Sequence, residues 1–264
     1  MKQIASADNP RFKRLLKLVQ SSRERRKAGR SLIEGVHLIQ AYRDNLGPPE
    51  QIVVSKSAVR NQEILQLISE IHGSEALVLS DALFRALSSL TTPAGVVAII
   101  KTPARPALPN EAGPCVLLED IQDPGNLGSI LRSTAAAGIR EVHLSKGCVH
   151  CWSPRVLRAG MGAHFMLAIH ENADLASFMH KFQGRVIAAT QRASQSIFDT
   201  DLTGNVGLLF GNEGSGLSST LLAAAKIAAC IPMLGKTESL NAAAAAAICL
   251  FERVRQIAVR EKRS

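Results

Sequence analysis

Six short apolar runs, separated mostly by stretches with helical periodicity, dominate the second half of the chain. The runs lie at residues 116–118, 142–144, 165–169, 186–189, 206–210 and 228–231, and the helical patterns at 127–137, 175–182, 217–225 and 240–260. Near-continuous apolar strands joined by helices are typical of a parallel sheet covered on both faces, because both sides of each strand are buried. We therefore predict an α/β fold with a parallel sheet for residues 115–264.

A smaller α/β unit is predicted for residues 1–100. Its expected strands are 52–54, 77–79 and 96–100, and its expected later helices are 32–42, 64–71 and 82–90. Asp8 or Asn9 can cap a first helix that Pro10 opens. Apolar residues recur there at helical spacing, at Phe12, Leu15, Leu16 and Val19. Four prolines within residues 101–114 predict a stiff linker between the units.

The charge of the chain favours a polyanionic partner. The net charge is +9 and the pI is about 9.7. Residues 10–30 contain nine basic residues against one acid, Glu24, which is a local net charge of +8. A second basic cluster, at Arg253, Arg255, Arg260, Lys262 and Arg263, closes the sequence. Either cluster alone is also compatible with an ordinary solvated helix face.

The cysteines and the first residues indicate a reduced compartment. Five cysteines without framework spacing do not suggest a disulfide scaffold. Cys148, His150 and Cys151, with His143 nearby, have zinc-like local spacing but no second pair downstream, so we expect no metal site. The sequence opens without the apolar core of a signal peptide, and no run reaches membrane-spanning length. We expect a cytoplasmic protein.

Three loops of the second unit combine glycine with reactive or polar side chains. Residues 119–132 follow a strand and open a helix, but they lack the G-x-G-x-x-G spacing of dinucleotide sites. The glycine turn at 210–218 carries Glu213 at its centre, an acid that would repel a phosphate. Residues 231–241 run into an alanine-rich helix, where Ser239 or Asn241 alone would be explained as a helix cap.

Together, the three loops resemble a known family. The ordered motifs are N-x-G-x-x-x-R at 126–132, G-N-E-G-x-G at 211–216 and I-P-M-x-G-x-x-x-S-L-N at 231–241. They resemble the SpoU/TrmH group of SPOUT methyltransferases over residues 115 to about 258. The serine–arginine segment 153–163 also fits that group. The first unit looks like the group's ribosomal-protein-like substrate-binding domain, on the stretch 32–38 and the basic helix before it.

The resemblance implies a fold and an activity. It implies a deep trefoil knot that binds S-adenosylmethionine, methyl transfer to a ribose 2′-hydroxyl of RNA, ribosomal rather than transfer RNA, and a homodimer. The implied catalytic residues are Arg132, Asn126, Glu213, Ser239 and Asn241. The implied cofactor-binding residues are Thr190, Gly211, Ile231, Met233 and Leu240. The implied RNA-binding residues are Arg14, Arg25, Arg26, Arg155 and Arg158.

The chemistry of these residue types suggests separate roles. Free arginine keeps its proton to a pH above about 12, so we expect Arg132 to grip a phosphate bidentately and polarise the hydroxyl, and the proton acceptor stays open. The family pattern has Arg132 act at the pocket of a partner subunit. Asn126 is expected to support Arg132 or the ribose, while Ser239 and Asn241 contact the ribose or its 3′ phosphate. Glu213 could face the cofactor, secure the knot or handle a proton.

Two other functions compete with this prediction. One is a catalytically silent RNA-binding or ribosome-assembly protein of the same fold, against which the presence of Arg132, Glu213, Ser239 and Asn241 argues. The other is a nucleotide- or NAD-dependent α/β enzyme, which requires glycine-rich loops that the sequence lacks. The final helix could pack against a second subunit or within its own core.

Overall fold

The computed structural model describes residues 2–71, 75–88, 90–104 and 109–262. Residues 105–108 of the predicted linker and Arg263 of the final basic cluster lie outside these ranges. The chain divides into two compact units, which we describe separately. One comprises residues 1–104 with 152–165, and the other residues 105–151 with 166–264. This division differs from the predicted domain limits mainly in assigning the segment 152–165 to the first unit.

The first half of the chain supplies strands and helices in alternation. In order, these elements are β1 (Lys2–Ile4), α1 (Pro10–Gln20), α2 (Ser22–Ala28), β2 (Arg30–Glu34), α3 (Val36–Leu46), β3 (Gln51–Ser55), α4 (Gln62–Glu70), β4 (Glu75–Leu79), α5 (Asp81–Leu87) and β5 (Val96–Lys101). The second half continues with β6 (Cys115–Leu118), α6 (Pro124–Ala136), β7 (Glu141–Leu144), α7 (Pro154–Gly160), β8 (Ala168–His170), α8 (Leu175–Lys181), β9 (Arg185–Ala189), β10 (Val206–Phe210), α9 (Ser219–Ala225), β11 (Ile227–Ala229) and α10 (Ala242–Glu261).

The first unit is a mixed five-stranded sheet with helices. Its strand order is β1-β4-β3-β5-β2, with β5 antiparallel to both of its neighbours. The predicted strands at β3, β4 and β5 are confirmed. The helix predicted over residues 32–42 is wrong at its start, because residues 30–34 form β2 and pair with β5. Gly35, at φ 99°, separates that strand from α3. Pairing with a distant strand overrides the local helical pattern here.

Helix α1 forms as its sequence predicts. Asn9 caps it, since its side chain accepts a hydrogen bond of 2.9 Å from the backbone N–H of Arg11. Its buried side chains are Phe12, Leu15 and Leu18, which join the apolar core of the sheet. The predicted stripe residues Leu16 and Val19 are half-buried. The basic residues are therefore left on the outer face of the helix.

The second unit contains a six-stranded parallel sheet, in agreement with the predicted fold class. Its strand order is β11-β9-β10-β6-β7-β8, and every pairing is parallel. The central strands β6 and β10 are buried along their whole length. The strand predicted at 165–169 begins later, at Ala168, because residues 163–166 form a 3-10 turn. The trefoil knot implied by the resemblance stays a prediction.

The sheet brings the functional loops to one edge. In a parallel sheet all carboxyl-terminal ends lie on the same side, so the loops that follow adjacent strands become neighbours. Strands β6, β9, β10 and β11 are consecutive neighbours in the sheet. The loops after β6, β10 and β11 carry the three sequence motifs, and they meet at this edge.

Candidate active site

A pocket of about 400 Å³ opens at the carboxyl-terminal edge of the second unit's sheet. The glycine turn after β10, the loop after β11 and the start of α10 form most of its wall. All five residues predicted to bind the cofactor line it, namely Thr190, Gly211, Ile231, Met233 and Leu240. The structure thus brings together residues that are up to 50 positions apart in the sequence.

Part of the pocket wall was missed by sequence reasoning. Gln191 and Arg192, which follow β9, line the pocket, and so do Ala242 and Ala245 in the first turns of α10. The signal for Gln191 and Arg192 was their position directly after a predicted parallel strand. The signal for the two alanines was their small size at the start of a helix, where a ligand can approach the backbone closely.

The glycine turn is a closed structure that does not offer a phosphate cradle. Asn212 and Gly216 exchange two backbone hydrogen bonds of 3.0–3.1 Å. The Asn212 side chain accepts from the N–H groups of Gly214 and Ser215. A Cβ at Gly211 would lie 2.5 Å from backbone atoms of Gly216 and Leu217, so only glycine fits there. Because these N–H groups are used inside the turn, they are not directed at an anion.

Glu213 links the glycine turn to the loop after β6. Its Oε1 accepts hydrogen bonds from the Asp123 N–H at 3.2 Å and from Asn126 Nδ2 at 3.0 Å, and its Oε2 accepts from the Gln122 N–H at 3.3 Å. Partial burial acts to raise the pKa of Glu213, but the bonds from Asn126 and from backbone N–H groups outweigh it and lower the pKa overall. Glu213 is therefore a hydrogen-bonded carboxylate at neutral pH.

The hydrogen bonding continues from Glu213 through two amides. Asn126 Oδ1 accepts a hydrogen bond of 2.8 Å from Asn241 Nδ2. Asn241 Oδ1 in turn caps α10 by accepting from the N–H groups of Ala243 and Ala244. Since an ionised carboxylate only accepts, it fixes the orientation of the first amide, and that amide fixes the second. We call Glu213, Asn126 and Asn241 the relay; it joins all three motif loops.

The other two candidate catalytic residues lie in different places. Ser239 lines the pocket. Arg132 is exposed on α6, six residues after Asn126, which puts it roughly 9 Å further along the helix axis. Arg132 is not part of the pocket wall. Four of the five candidates are therefore gathered around the pocket and its relay, and Arg132 is not among them.

The candidate RNA-binding residues belong to the first unit. Arg14 and Arg26 are exposed on α1 and α2. Arg155 is exposed on α7 and Arg158 is half-buried there. The assignment of Arg25 needs correction, because its side chain is only 5% exposed. Its guanidinium donates to the carbonyl oxygens of Leu18 at 2.7 Å and Val19 at 3.0 Å, so it completes the end of α1.

The cysteines and histidines that suggested zinc do not come together as the spacing indicated. All five cysteines are free thiols. Cys148 Sγ donates to the Leu118 carbonyl oxygen at 3.3 Å. Within the described residues, the single group of three metal-ligating side chains in mutual reach is Glu141, His143 and His170. It shares only His143 with the predicted pattern.

Hydropathy gives no sign of a bilayer-spanning segment: over the described ranges, every helix is too short or too polar to cross a membrane.

Comparison with known proteins agrees with this geometry. The model of the SpoU rRNA Methylase family matches residues 113–251, and that of the MRM3-like substrate binding domain matches residues 9–98. The 23S rRNA (guanosine(2553)-2′-O)-methyltransferase RlmP of Bacillus subtilis is 31% identical, over 95% of this chain and 98% of the relative. Mouse mitochondrial rRNA methyltransferase 3 is 28% identical, over 95% of this chain and 73% of the relative.

Solved structures give the same result. The SpoU methyltransferase AviRb from Streptomyces viridochromogenes, in complex with the cofactor AdoMet, superposes with a TM-score of 0.86. It is 27% identical and covers 95% of this chain and 98% of its own. An RNA 2′-O ribose methyltransferase superposes with a TM-score of 0.84 at 30% identity, over 97% and 99% of the two chains. The family models match both the first unit and the second unit. The chain belongs to the SpoU rRNA methylase family.

Proposed function

We propose that the protein transfers a methyl group from S-adenosylmethionine to a ribose 2′-hydroxyl of ribosomal RNA. The observation that carries this proposal is the convergence of the three motif loops on one pocket, joined by the relay of Glu213, Asn126 and Asn241. The relatives support the same reaction, since they include rRNA 2′-O-methyltransferases and a structure with AdoMet bound.

The pocket suits this cofactor in size and chemistry. Its volume of about 400 Å³ falls within the usual range of small-molecule sites. Phe210, Ile231, Met233 and Leu240 supply apolar surface for the adenine, and Gly211 lets the main chain come close. The charged residues of the described wall are Glu213, Glu238 and Arg192, an excess of one negative charge that tolerates a sulfonium cation. When bound, the cofactor supplies an electrophilic methyl group.

The relay assigns roles to the side chains beside the pocket. Both carboxylate oxygens of Glu213 already accept hydrogen bonds, so its role is to orient Asn126 and, through Asn126, Asn241. Each amide Nδ2 has a second N–H that can donate to an oxygen of the target ribose or its phosphate. Ser239 can add a hydroxyl donor from the pocket wall. Held in this way, the nucleophilic oxygen is aligned with the methyl group, which by itself lowers the barrier.

Arg132 is proposed to act in a homodimer. It is exposed and lies outside the pocket wall of its own chain, so it is free to reach the pocket of a second copy. There its guanidinium would grip the phosphate next to the target nucleotide in a bidentate manner. The proton acceptor in this scheme is not Glu213, whose carboxylate is already hydrogen-bonded.

The first unit is proposed to bind the RNA. Arg14, Lys17, Arg23, Arg26 and Lys27 are exposed on α1 and α2, and none has an ion pair within the part of the chain that the structure describes. Such cations neutralise phosphates and give binding that weakens with salt. Residues 1–100 would thus act as the substrate-binding domain and residues 115–264 as the methyltransferase domain. A cytoplasmic location follows as part of the same proposal.

The proposal is tested by cofactor binding and by methyl transfer. Calorimetry should show S-adenosylmethionine binding to the purified protein. Labelled methyl groups should then enter ribosomal RNA taken from a strain that lacks the gene, and mapping should place one 2′-O-methyl group that the strain is missing. Cofactor binding without methyl transfer to any RNA would contradict the proposed methyltransferase activity. RNA binding without cofactor binding would instead favour the catalytically silent alternative.

A further inference from the structure

A second cluster of reactive side chains lies on β7 and β8, at the opposite end of the strand order from β11. The pocket is lined by the loops after β9, β10 and β11. Glu141 and His143 are two residues apart on β7, so their side chains point to the same face. His170 of β8 is the register partner of His143 and shares that face. The sheet therefore places one carboxylate and two imidazoles side by side.

The three side chains are buried and their polar atoms converge. Glu141, His143 and His170 are 8%, 1% and 3% exposed. Glu141 Oε1 lies 2.6 Å from His170 Nε2 and 3.6 Å from His143 Nε2. The two imidazole rings stack with centroids 4.7 Å apart and planes 9° apart, so both Nε2 atoms approach the same carboxylate oxygen. One ligand atom from each residue lies within 4.8 Å of the others.

The cluster holds a buried carboxylate beside an aromatic ring. The Phe178 ring stacks on His143 at a centroid distance of 3.8 Å and covers the cluster on that side. A buried carboxylate is costly unless it is paired and hydrogen-bonded. The Asn110 N–H donates to Glu141 Oε1 at 3.1 Å, but it is a neutral donor. A bound cation would supply the compensating positive charge.

We propose that Glu141, His143 and His170 bind one divalent metal ion of the Zn²⁺ class. Two imidazoles and one carboxylate are ligands that Zn²⁺ accepts, with bonds of about 2.0–2.2 Å. Tetrahedral coordination at such bond lengths places ligand atoms about 3.3 Å apart. The 2.6 Å and 3.6 Å separations each differ from that value by less than 1 Å, so small rotations of the side chains suffice.

The proposed ion would stabilise the edge of the sheet. Strand β8 has three residues and, among the residues that the structure describes, pairs only with β7, so a shared metal would fasten it. Through Asn110, which donates to Glu141, the same ion would hold the segment that leads into β6. A metal that binds the folded chain and not the unfolded one raises the melting temperature, and the rise grows with the logarithm of the free metal concentration once that exceeds the dissociation constant. This role is independent of methyl transfer.

The test titrates Zn²⁺ and Co²⁺ into the full chain after metal removal with a chelator. We expect one zinc per chain, a melting temperature that rises as zinc is added, and a Co²⁺ spectrum of nitrogen and oxygen ligation. Glu141→Gln and His170→Ala should each weaken zinc binding at least 100-fold. His180→Ala, at an exposed histidine on α8, is the matched control and should bind as the wild type does.

Two outcomes would overturn the proposal. Absence of saturable zinc binding by the wild-type chain would show that the cluster is not a metal site. Thiolate-to-cobalt charge-transfer bands that disappear in Cys148→Ser or Cys151→Ser would assign the metal to the cysteines. The wild-type spectrum decides between these sites even if Glu141→Gln or His170→Ala fails to fold.

Discussion

At the scale of single residues, Glu213 and Arg25 show that a residue type and its spacing do not reveal the hydrogen-bond partners or the burial of a side chain. The glycine turn around Glu213 was recognisable as unsuited to phosphate, but whether the acid faced the cofactor was open. Its three donors, two of them backbone N–H groups after β6, come from positions about 90 residues away. Arg25 was grouped with its exposed neighbours because its spacing does not distinguish it, yet it turns inward to the end of α1.

Glu213→Gln tests whether Glu213 positions the relay or takes a proton. The new amide would place N–H donors against those of Gln122, Asp123 or Asn126, so Asn126 loses its fixed orientation. We expect kcat to fall at least tenfold with the pH dependence of the residual rate unchanged. The matched control is Glu261→Gln, at an exposed acid near the end of α10. Loss of one ionisation from the pH–rate profile of the variant would instead identify Glu213 as the base.

The pKa of Glu213 also predicts an acid dependence of stability. Its folded-state pKa lies below the ordinary value of 4.5. The stability it contributes is therefore complete above pH 4.5 and is lost as the pH falls through the lower folded value. The wild-type chain should lose more stability than Glu213→Gln on acidification below pH 4.5, with both compared by thermal melting. Parallel loss in the two proteins would contradict the hydrogen bonding described for Glu213.

Arg132→Ala separates catalysis from cofactor binding. Because Arg132 is outside the pocket wall, its removal should leave the calorimetric affinity for S-adenosylmethionine within about twofold, while methyl transfer falls by at least 100-fold, about 2.7 kcal/mol in barrier. Arg140→Ala, at another exposed arginine just after α6, should retain transfer. A large loss of cofactor affinity in Arg132→Ala would contradict the phosphate-gripping role.

At the scale of elements, apolar pattern predicted most of the fold. The strands of the second unit were recognisable because a parallel sheet buries both faces and leaves continuous apolar runs. The pattern failed where pairing with a distant strand determines the secondary structure. Strand β2 is an example, because its residues have a helical pattern but pair with a strand some 65 positions later. The pattern also failed at residues 165–166, which were predicted as the start of a strand but belong to a 3-10 turn over residues 163–166. A short apolar run by itself does not show whether its residues form a strand, a helix or a turn.

Neighbouring arginines on α2 should behave in opposite ways. Arg25→Ala removes bonds to the Leu18 and Val19 carbonyls from a buried site, and we expect it to lower the free energy of unfolding by about 1–3 kcal/mol. Arg26→Ala should leave urea denaturation unchanged but weaken RNA binding and reduce the slope of log K against log salt by about one. Equal effects of the two substitutions on RNA binding would contradict the correction made for Arg25.

At the scale of the whole molecule, the site is assembled from loops that no local pattern connects. Parallel topology explains why the loops after β6, β10 and β11 meet, but the relay between Asn126, Glu213 and Asn241 depends on side-chain geometry that only the structure shows. The resemblance to a family identified these residues without explaining how they are joined. The cluster of Glu141, His143 and His170 was not expected, because its third member, His170, belongs to another strand.

Mixing two inactive variants tests whether Arg132 acts across a dimer. Met233→Arg would place a guanidinium in the pocket, where it repels a sulfonium cation, so this variant should be folded but unable to bind the cofactor. Arg132→Ala keeps its pocket but lacks the arginine. In random heterodimers the intact pocket of one chain meets the intact Arg132 of the other, which restores about a quarter of wild-type activity when equal amounts are co-expressed. An arginine that served its own chain would leave the mixture inactive, because no chain would then carry both an open pocket and Arg132.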